Sequence, residues 1–173
     1  MIIFRPFFVK NKEIKNYIKN SLNTAHDLVI KKKITGFINC PINKRRFGLK
    51  NSGVTEYLAK KNKVIGKESM LLLGKKFSVS PITTHIPIRR VYRELNKKKI
   101  TDKIYTLNKN YKKIFKKKPN FLVLGLNPHN NELAENSEEQ KIIIPAINIC
   151  KKKKIKISGP HASDTVFFNL KNQ

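Results

Sequence analysis

Apolar residues recur every three to four positions in several parts of the chain, a period typical of amphipathic helices. In the first helix the apolar face consists of Ile14, Ile18, Leu22, Ala25 and Val29. Thr101 is predicted to cap the N-terminus of a second helix, and Ser137 begins a stretch with the spacing of a capping box. Pro145 predicts a kink where it interrupts the last helix. The predicted helices cover residues 11–33, 55–61, 101–118 and 137 to about 151.

Shorter apolar runs predict strands between these helices. Residues 74–76 (GKK) separate two of the runs in the manner of a hairpin turn. Residues 121–126 are almost continuously apolar, which is typical of a strand buried on both faces. Alternating helices and strands predict the α/β class, with helices packed on a mixed sheet, and residues 1–173 are treated as a single incomplete unit. The predicted strands cover residues 35–39, 69–73, 77–82, 121–126 and 155–157.

The chain carries a formal net charge of +27, from 32 lysines and only 6 arginines against 11 acidic residues. Such a chain binds polyanions non-specifically at low salt. Lysine, isoleucine and asparagine share A/T-rich codons, however, and dedicated nucleic-acid binders favour arginine and aromatic side chains. The lysine runs also follow predicted helices, where solvated cations are favourable. A basic nucleic-acid-binding module therefore stays open as an alternative function.

Cysteine usage and hydropathy point to an ordinary cytoplasmic protein. No run of about 18 uncharged apolar residues is present, so we expect no membrane-spanning helix and no membrane partner. Cys40 and Cys150 are far apart and form neither a disulfide framework nor a metal-ligand set by their spacing. Each is interpreted as a small buried hydrophobe.

Two histidines follow predicted strands, where α/β proteins place ligands. His85 lies just after the strand at 77–82, and His129 follows the strand at 121–126. Neutral imidazole is the commonest protein metal ligand, so two neighbouring strand ends can bring both rings to one ion. The alternative is a capping or hydrogen-bonding role for each histidine.

Several segments together resemble the 4-hydroxythreonine-4-phosphate dehydrogenase family. The resemblance depends on residues 83–88 (TTHIPI), 125–129 (GLNPH) and 159–167 (GPHASDTVF), in that order and spacing. Residues 41–44 (PINK), 53–56 (GVTE) and the pair Glu138-Glu139 leading into Ile144-Pro145-Ala146 fit the same family. The similarity runs from about residue 34 to 168 and covers about the middle half of a family member. The chain thus resembles the central part of a larger two-domain dehydrogenase.

This resemblance implies a fold and a reaction. The fold is an α/β/α sandwich like that of isocitrate and isopropylmalate dehydrogenases, here incomplete, in a homodimer. The reaction is the NAD- or NADP-dependent oxidation and decarboxylation of 4-phosphooxy-L-threonine to an aminoketone phosphate, in pyridoxal phosphate biosynthesis. A divalent metal (Zn, Mg or Co) is held by three histidines, of which His85 and His129 match two. The third belongs to a motif that this chain lacks, so we expect the chain to be inactive alone.

The resemblance also assigns further site residues. Thr55 matches a substrate-binding threonine, Asp164 an aspartate suited to proton transfer or to orienting a lysine, and Lys44 a lysine suited to stabilising an anion. Thr55 and Asp164 have the alternative role of capping the helices that follow them. Val54 replaces the histidine usual before the threonine, and the cofactor-binding residues are unknown. Besides the enzyme and the nucleic-acid-binding module, a non-functional truncated relic is the third hypothesis.

Overall fold

The structure is a computed structural model that describes residues 13–43, 47 and 53–170. The chain divides into two compact units, Met1–Gly66 and Lys67–Gln173, and each is described by itself. The prediction of one incomplete unit over residues 1–173 stays a prediction. No helix in the described ranges is long and apolar enough to cross a bilayer.

The N-terminal unit contains two helices, α1 (Ile14–Ile30) and α2 (Val54–Lys61), close to their predicted positions. Side-chain hydrogen bonds join them: the Tyr57 hydroxyl donates to Asn23 Oδ1 at 2.8 Å, and Lys61 Nζ donates to Asn23 Oδ1 at 3.1 Å and to Asp27 Oδ1 at 2.9 Å. The predicted strand at 35–39 is wrong, because these residues pair with no strand in the described part of the chain. A strand without a backbone partner has no ladder to hold it.

The C-terminal unit builds a small parallel sheet between helices. Strand β1 pairs with strand β2 in parallel, with Phe121 opposite Ile157 and Leu124 opposite His161. The segment between the strands contains a π-helical turn, Glu139–Ile143, which continues directly into an α-helix. This β-helix-β arrangement confirms the predicted α/β class. The elements are α3 (Ile88–Glu94), α4 (Lys97–Phe115), β1 (Phe121–Leu124), α5 (Ile144–Lys152), β2 (Ile157–His161) and α6 (Val166–Leu170).

The predicted helix at 101–118 begins earlier than expected. The cap of α4 is Asn96, whose side-chain oxygen accepts from the Lys99 N–H at 2.8 Å. Thr101 is instead buried inside the helix, and its hydroxyl donates to the Lys98 carbonyl at 3.0 Å. The prediction of Thr101 as the cap is therefore wrong. The helix has a further turn before Thr101, which was not predicted because it begins with three lysines instead of apolar residues.

The helix predicted from Ser137 is confirmed, with its irregularity ahead of Pro145. The Ser137 hydroxyl oxygen accepts from the Gln140 N–H at 3.3 Å, as half of a capping box does. Pro145 is the second residue of α5, directly after the π-helical turn. The wider turn fits a proline, which has no N–H to donate to the preceding turn.

The predicted hairpin at 69–82 is reduced to one antiparallel bridge. Leu72 and Val79 exchange both backbone hydrogen bonds, at 2.8 and 2.9 Å. The direction of the chain was predicted correctly and the strand lengths were not. Helix α3 was not predicted, because its seven residues are too few to show a helical period.

The core of the C-terminal unit lies between α4, α5 and the sheet. Each buried aliphatic side chain contributes about 1.5–3 kcal/mol to the free energy of unfolding, so the residues of this core are the main source of the unit's stability. Its buried members are Leu95, Ile100, Ile104, Ile143, Ala146, Ile147, Cys150, Ile155 and Ile157.

The two cysteines are expected to differ sharply in reactivity. The interpretation of each cysteine as a buried hydrophobe is wrong for Cys40, which is exposed, and confirmed for Cys150, which is fully buried. Burial raises the pKa of the Cys150 thiol. Since the thiolate is the reactive form, a disulfide reagent should modify Cys40 at least about 100-fold faster than Cys150 under native conditions. Reagent kinetics on the chain and on Cys40→Ser test this. Rapid labelling of the folded Cys40→Ser variant would contradict the buried position of Cys150.

Candidate active site

The carboxyl ends of β1 and β2 bring two predicted site residues together. Because parallel neighbours end at the same edge of a sheet, the loops after them meet there. His129 comes from the loop after β1 and Asp164 from the loop after β2. The His129 Nε2 lies 2.9 Å from Asp164 Oδ2, and both side chains are exposed. The two side chains therefore meet at this edge of the sheet, and the capping role given as the alternative for Asp164 stays open.

His129 lies in a turn of unusual backbone conformation, Pro128–Leu133, here called the His129 turn. Its residues from His129 to Leu133 all have positive φ, between 47° and 59°. For residues other than glycine this left-handed conformation costs about 1–2 kcal/mol each. Such strain persists only where surrounding contacts enforce it, and it concentrates at functional sites.

The loop before the His129 turn is held by a buried carboxylate. Glu139 is fully buried. Its Oε1 accepts from the backbone N–H groups of Leu126 at 2.8 Å and Asn127 at 2.9 Å, and its Oε2 accepts from Asn127 Nδ2 at 3.0 Å. Burial alone would raise the pKa of this carboxyl group, but the hydrogen bonds from Asn127 and Leu126 outweigh it and leave the pKa below its ordinary value. Glu139 is therefore an ionised buried group.

Two further hydrogen bonds join the loop after β1 to the end of strand β2. The Gly125 N–H donates to the His161 carbonyl at 2.9 Å, and Asn130 Nδ2 donates to the Pro160 carbonyl at 3.2 Å. A Cβ at Gly125 would overlap the Asn130 side-chain oxygen and would lie 3.2 Å from Glu139 Oε1. A side chain at the first position after β1 would therefore displace the Asn130 side chain and crowd Glu139, so glycine fits this position.

His85 also belongs to the C-terminal unit and follows the bridge of Leu72 and Val79 along the chain. It is exposed and has a φ of 54°, so both predicted metal-ligating histidines have a left-handed backbone conformation. No group of three or more His, Cys, Asp or Glu side chains that could hold a metal occurs in residues 13–43, 47 and 53–170. Joint ligation of a metal by His85 and His129 stays a prediction. The donor chemistry fits a divalent ion, because a metal-ligating histidine usually has its other ring nitrogen on a carboxylate, as His129 has.

The other two predicted site residues belong to the N-terminal unit. Thr55 is an exposed second residue of α2, while Gly53 is the cap and its N–H donates to Glu56 Oε2 at 2.6 Å. The alternative in which Thr55 caps this helix is therefore wrong, which leaves its hydroxyl free for another role at the helix N-terminus. Lys44 lies outside the described residues, so its assignment stays a prediction. Val54, which replaces the usual histidine, is half-buried.

Glu139 was not recognised as a site residue from the sequence. The pair Glu138-Glu139 was interpreted as part of a capping-box stretch and as a fit to the family, and neither interpretation gave Glu139 a role at the site. In the structure Glu138 Oε2 accepts from Asn127 Nδ2 at 2.9 Å, so both carboxylates contact the β1 loop. The available signal was the apolar environment of Glu139, four residues before Ile143 in a buried helix.

The family model described as pyridoxal phosphate biosynthetic protein PdxA matches residues 7–173. The chain is 38% identical over 171 residues to the 4-hydroxythreonine-4-phosphate dehydrogenase of Aquifex aeolicus (strain VF5), covering 96% of this chain and 52% of that protein. It is 36% identical over 163 residues to the enzyme of that name from Sulfurihydrogenibium sp. (strain YO3AOP1), covering 90% and 48%. The chain thus spans about half the length of these curated relatives.

Solved structures share the fold. A crystal structure of 4-hydroxythreonine-4-phosphate dehydrogenase from Klebsiella pneumoniae matches with a TM-score of 0.84 and 27% identity, covering 98% of this chain and 53% of that one. A terephthalate 1,2-cis-dihydrodioldehydrogenase from Burkholderia xenovorans LB400 matches with a TM-score of 0.75 and 16% identity, covering 96% and 54%. The second similarity concerns the fold alone. Together the two structures confirm the predicted incomplete α/β fold.

Proposed function

Because the chain belongs to the family of the pyridoxal phosphate biosynthetic protein PdxA, we propose that it supplies the central half of a 4-hydroxythreonine-4-phosphate dehydrogenase. The observation that supports this most directly is the pairing of His129 Nε2 with Asp164 Oδ2 at 2.9 Å. The family resemblance named both residues from separate motifs, and they meet at the edge of the sheet where α/β enzymes bind ligands.

The proposed reaction is the oxidation of 4-phosphooxy-L-threonine by NAD or NADP, followed by decarboxylation to an aminoketone phosphate in vitamin B6 biosynthesis. His85 and His129 would hold a divalent cation together with a ligand from outside this chain. When bound, such a cation lowers the pKa of a coordinated alcohol and stabilises negative charge on its oxygen. A cytoplasmic homodimer is part of the same proposal.

Each remaining residue has a role of its own in this proposal. Asp164 fixes the His129 ring through Nε2, which leaves Nδ1 as the nitrogen available to a ligand. Asp164 is also the candidate for proton transfer, since its carboxylate is exposed at the strand end. Thr55 would bind substrate through its exposed hydroxyl, and Lys44 would stabilise an anion.

A chimaera tests the proposal, because the chain alone carries only part of the predicted ligand set. The matching segment of the Aquifex aeolicus relative is replaced by residues 7–173, and formation of reduced cofactor from 4-phosphooxy-L-threonine is measured. We expect metal-dependent activity that falls at least about 100-fold in His129→Ala and in Asp164→Asn, since ligand and proton-transfer groups contribute effects of this size.

His161→Leu is the matched control, at the end of strand β2. The His161 side chain contacts Ser158 Oγ through Nε2 at 2.9 Å. The control should retain activity within about threefold of the parent chimaera, since no ligand or proton-transfer role depends on it. An inactive parent chimaera, or His129→Ala with parental activity, would refute the proposed function.

A further inference from the structure

Glu139 has more hydrogen bonds to the β1 loop than a helix start requires. A buried carboxylate costs several kcal/mol in lost solvation unless donors compensate it. Besides its own backbone N–H, the donors around Glu139 come from two consecutive residues, Leu126 and Asn127. The energy of this buried charge is therefore coupled to the conformation of the two residues that lead into the His129 turn.

The residue after Glu139 holds the opposite end of the same turn. Gln140 Nε2 donates to the Leu133 carbonyl at 3.3 Å. Consecutive residues of the π-helical turn thus bracket the His129 turn, with Glu139 on residues 126–127 and Gln140 on residue 133. These hydrogen bonds at both ends of the turn help to keep its residues in the left-handed conformation, which costs energy without such contacts.

We propose that Glu139 is the positioning residue of this site: its carboxylate fixes the β1 loop so that the His129 turn keeps its left-handed form and His129 stays on Asp164. The part that concerns metal binding rests on the proposed function, and the part that concerns the loop does not. A purely structural role as a core residue would affect the whole unit evenly. A positioning role affects the loop and His129 first.

Three variants of the chain separate these roles. Glu139→Gln keeps the shape but replaces one acceptor oxygen with an N–H₂ group that faces the Asn127 side-chain donor. Glu138→Gln is the matched control, since Glu138 is the neighbouring carboxylate, contacts the same Asn127 Nδ2, and accepts from neither backbone N–H. Glu139→Asp keeps the charge with a shorter reach and serves as the test variant if Glu139→Gln does not fold.

Amide hydrogen exchange is the first measurement. In Glu139→Gln we expect exchange at Leu126 and Asn127 to accelerate at least about tenfold, because their acceptor is weakened. The amides of Phe121 and Gly125, which donate to Lys156 and His161 carbonyls, should change by less than about threefold. Glu138→Gln should leave all four unchanged. Equal acceleration at all four amides in Glu139→Gln, or none at Leu126 and Asn127, would overturn the proposal.

Zn²⁺ affinity of the chimaera and of its Glu139 and Glu138 variants, measured by calorimetric titration with Zn²⁺ alone, is the second measurement. Loss of groups that orient a ligand typically weakens metal binding 10–100-fold, so we expect about tenfold weaker binding in Glu139→Gln and unchanged binding in Glu138→Gln. If the parent chimaera binds no Zn²⁺ through His129, the metal assignment of the proposed function fails, and the exchange measurement still decides the positioning role. Zn²⁺ bound with parental affinity by Glu139→Gln would overturn the link from Glu139 to His129.

Discussion

Replacing Gly159 with alanine is expected to lower the free energy of unfolding of the C-terminal unit by about 3 kcal/mol or more. Gly159 has a φ of 126°, which side-chain-bearing residues rarely adopt. A Cβ there would overlap the Val123 carbonyl oxygen and would lie 3.2 Å from its carbonyl carbon. Since both obstacles are backbone atoms of β1, relief requires the two strands to separate. The cost therefore falls on the sheet.

Denaturant unfolding of the 173-residue chain measures this effect, and Gly36→Ala provides the matched glycine control. A Cβ at Gly36 would have no atom within 4 Å, so the control should change the stability by less than about 0.5 kcal/mol. The melting temperature of the Gly159→Ala variant should fall by on the order of 15 °C. A Gly159→Ala chain as stable as the control would show that β2 does not approach Val123 as closely as described.

Gly159 also connects the fold to the site. It precedes Pro160 and His161, whose carbonyls accept from Asn130 Nδ2 and the Gly125 N–H. Because β2 approaches β1 closely, these two carbonyls come within hydrogen-bonding distance of the loop after β1. Glycine at this position serves strand packing and site assembly by the same contact.

The long helices could be predicted because their pattern is local. Helices α1, α4 and α5 each repeat an apolar face over two or more turns, and that face is sufficient to identify them. The strand at 35–39 and the full hairpin at 69–82 could not be predicted, because a strand is defined by its partner. Ile38, apolar but 101% exposed, shows how a short apolar run misleads when nothing pairs with it.

The candidate site divides in a similar way. His129 and Asp164 could be named from sequence motifs, but no spacing rule indicated that they touch, since their contact depends on the parallel register of Phe121 with Ile157. The role of Glu139 could not be predicted, because neither the capping-box spacing nor the family resemblance indicates which groups its carboxylate contacts. Its contacts with Leu126 and Asn127 arise only once α5 packs behind β1.

The second large effect is expected at Ile147, the central core residue of α5. Ile147 is 1% exposed and packs in the cluster between α4 and the sheet. Truncation to alanine removes three carbons and leaves a cavity that the flanking helix and sheet cannot close. We expect Ile147→Ala to lower the free energy of unfolding by about 3 kcal/mol, within the usual range for buried isoleucine.

Ile149→Ala separates burial from the chemical change itself. Ile149 lies two residues further along the same helix and is 42% exposed. The same truncation there should cost less than about 1 kcal/mol, because most of the removed surface already faces solvent. Exchange at Leu126 and Asn127 should accelerate in Ile147→Ala only in proportion to the other amides of the unit, since Glu139 keeps its contacts. If Ile149→Ala were as costly as Ile147→Ala, the exposed face assigned to α5 would be covered in solution.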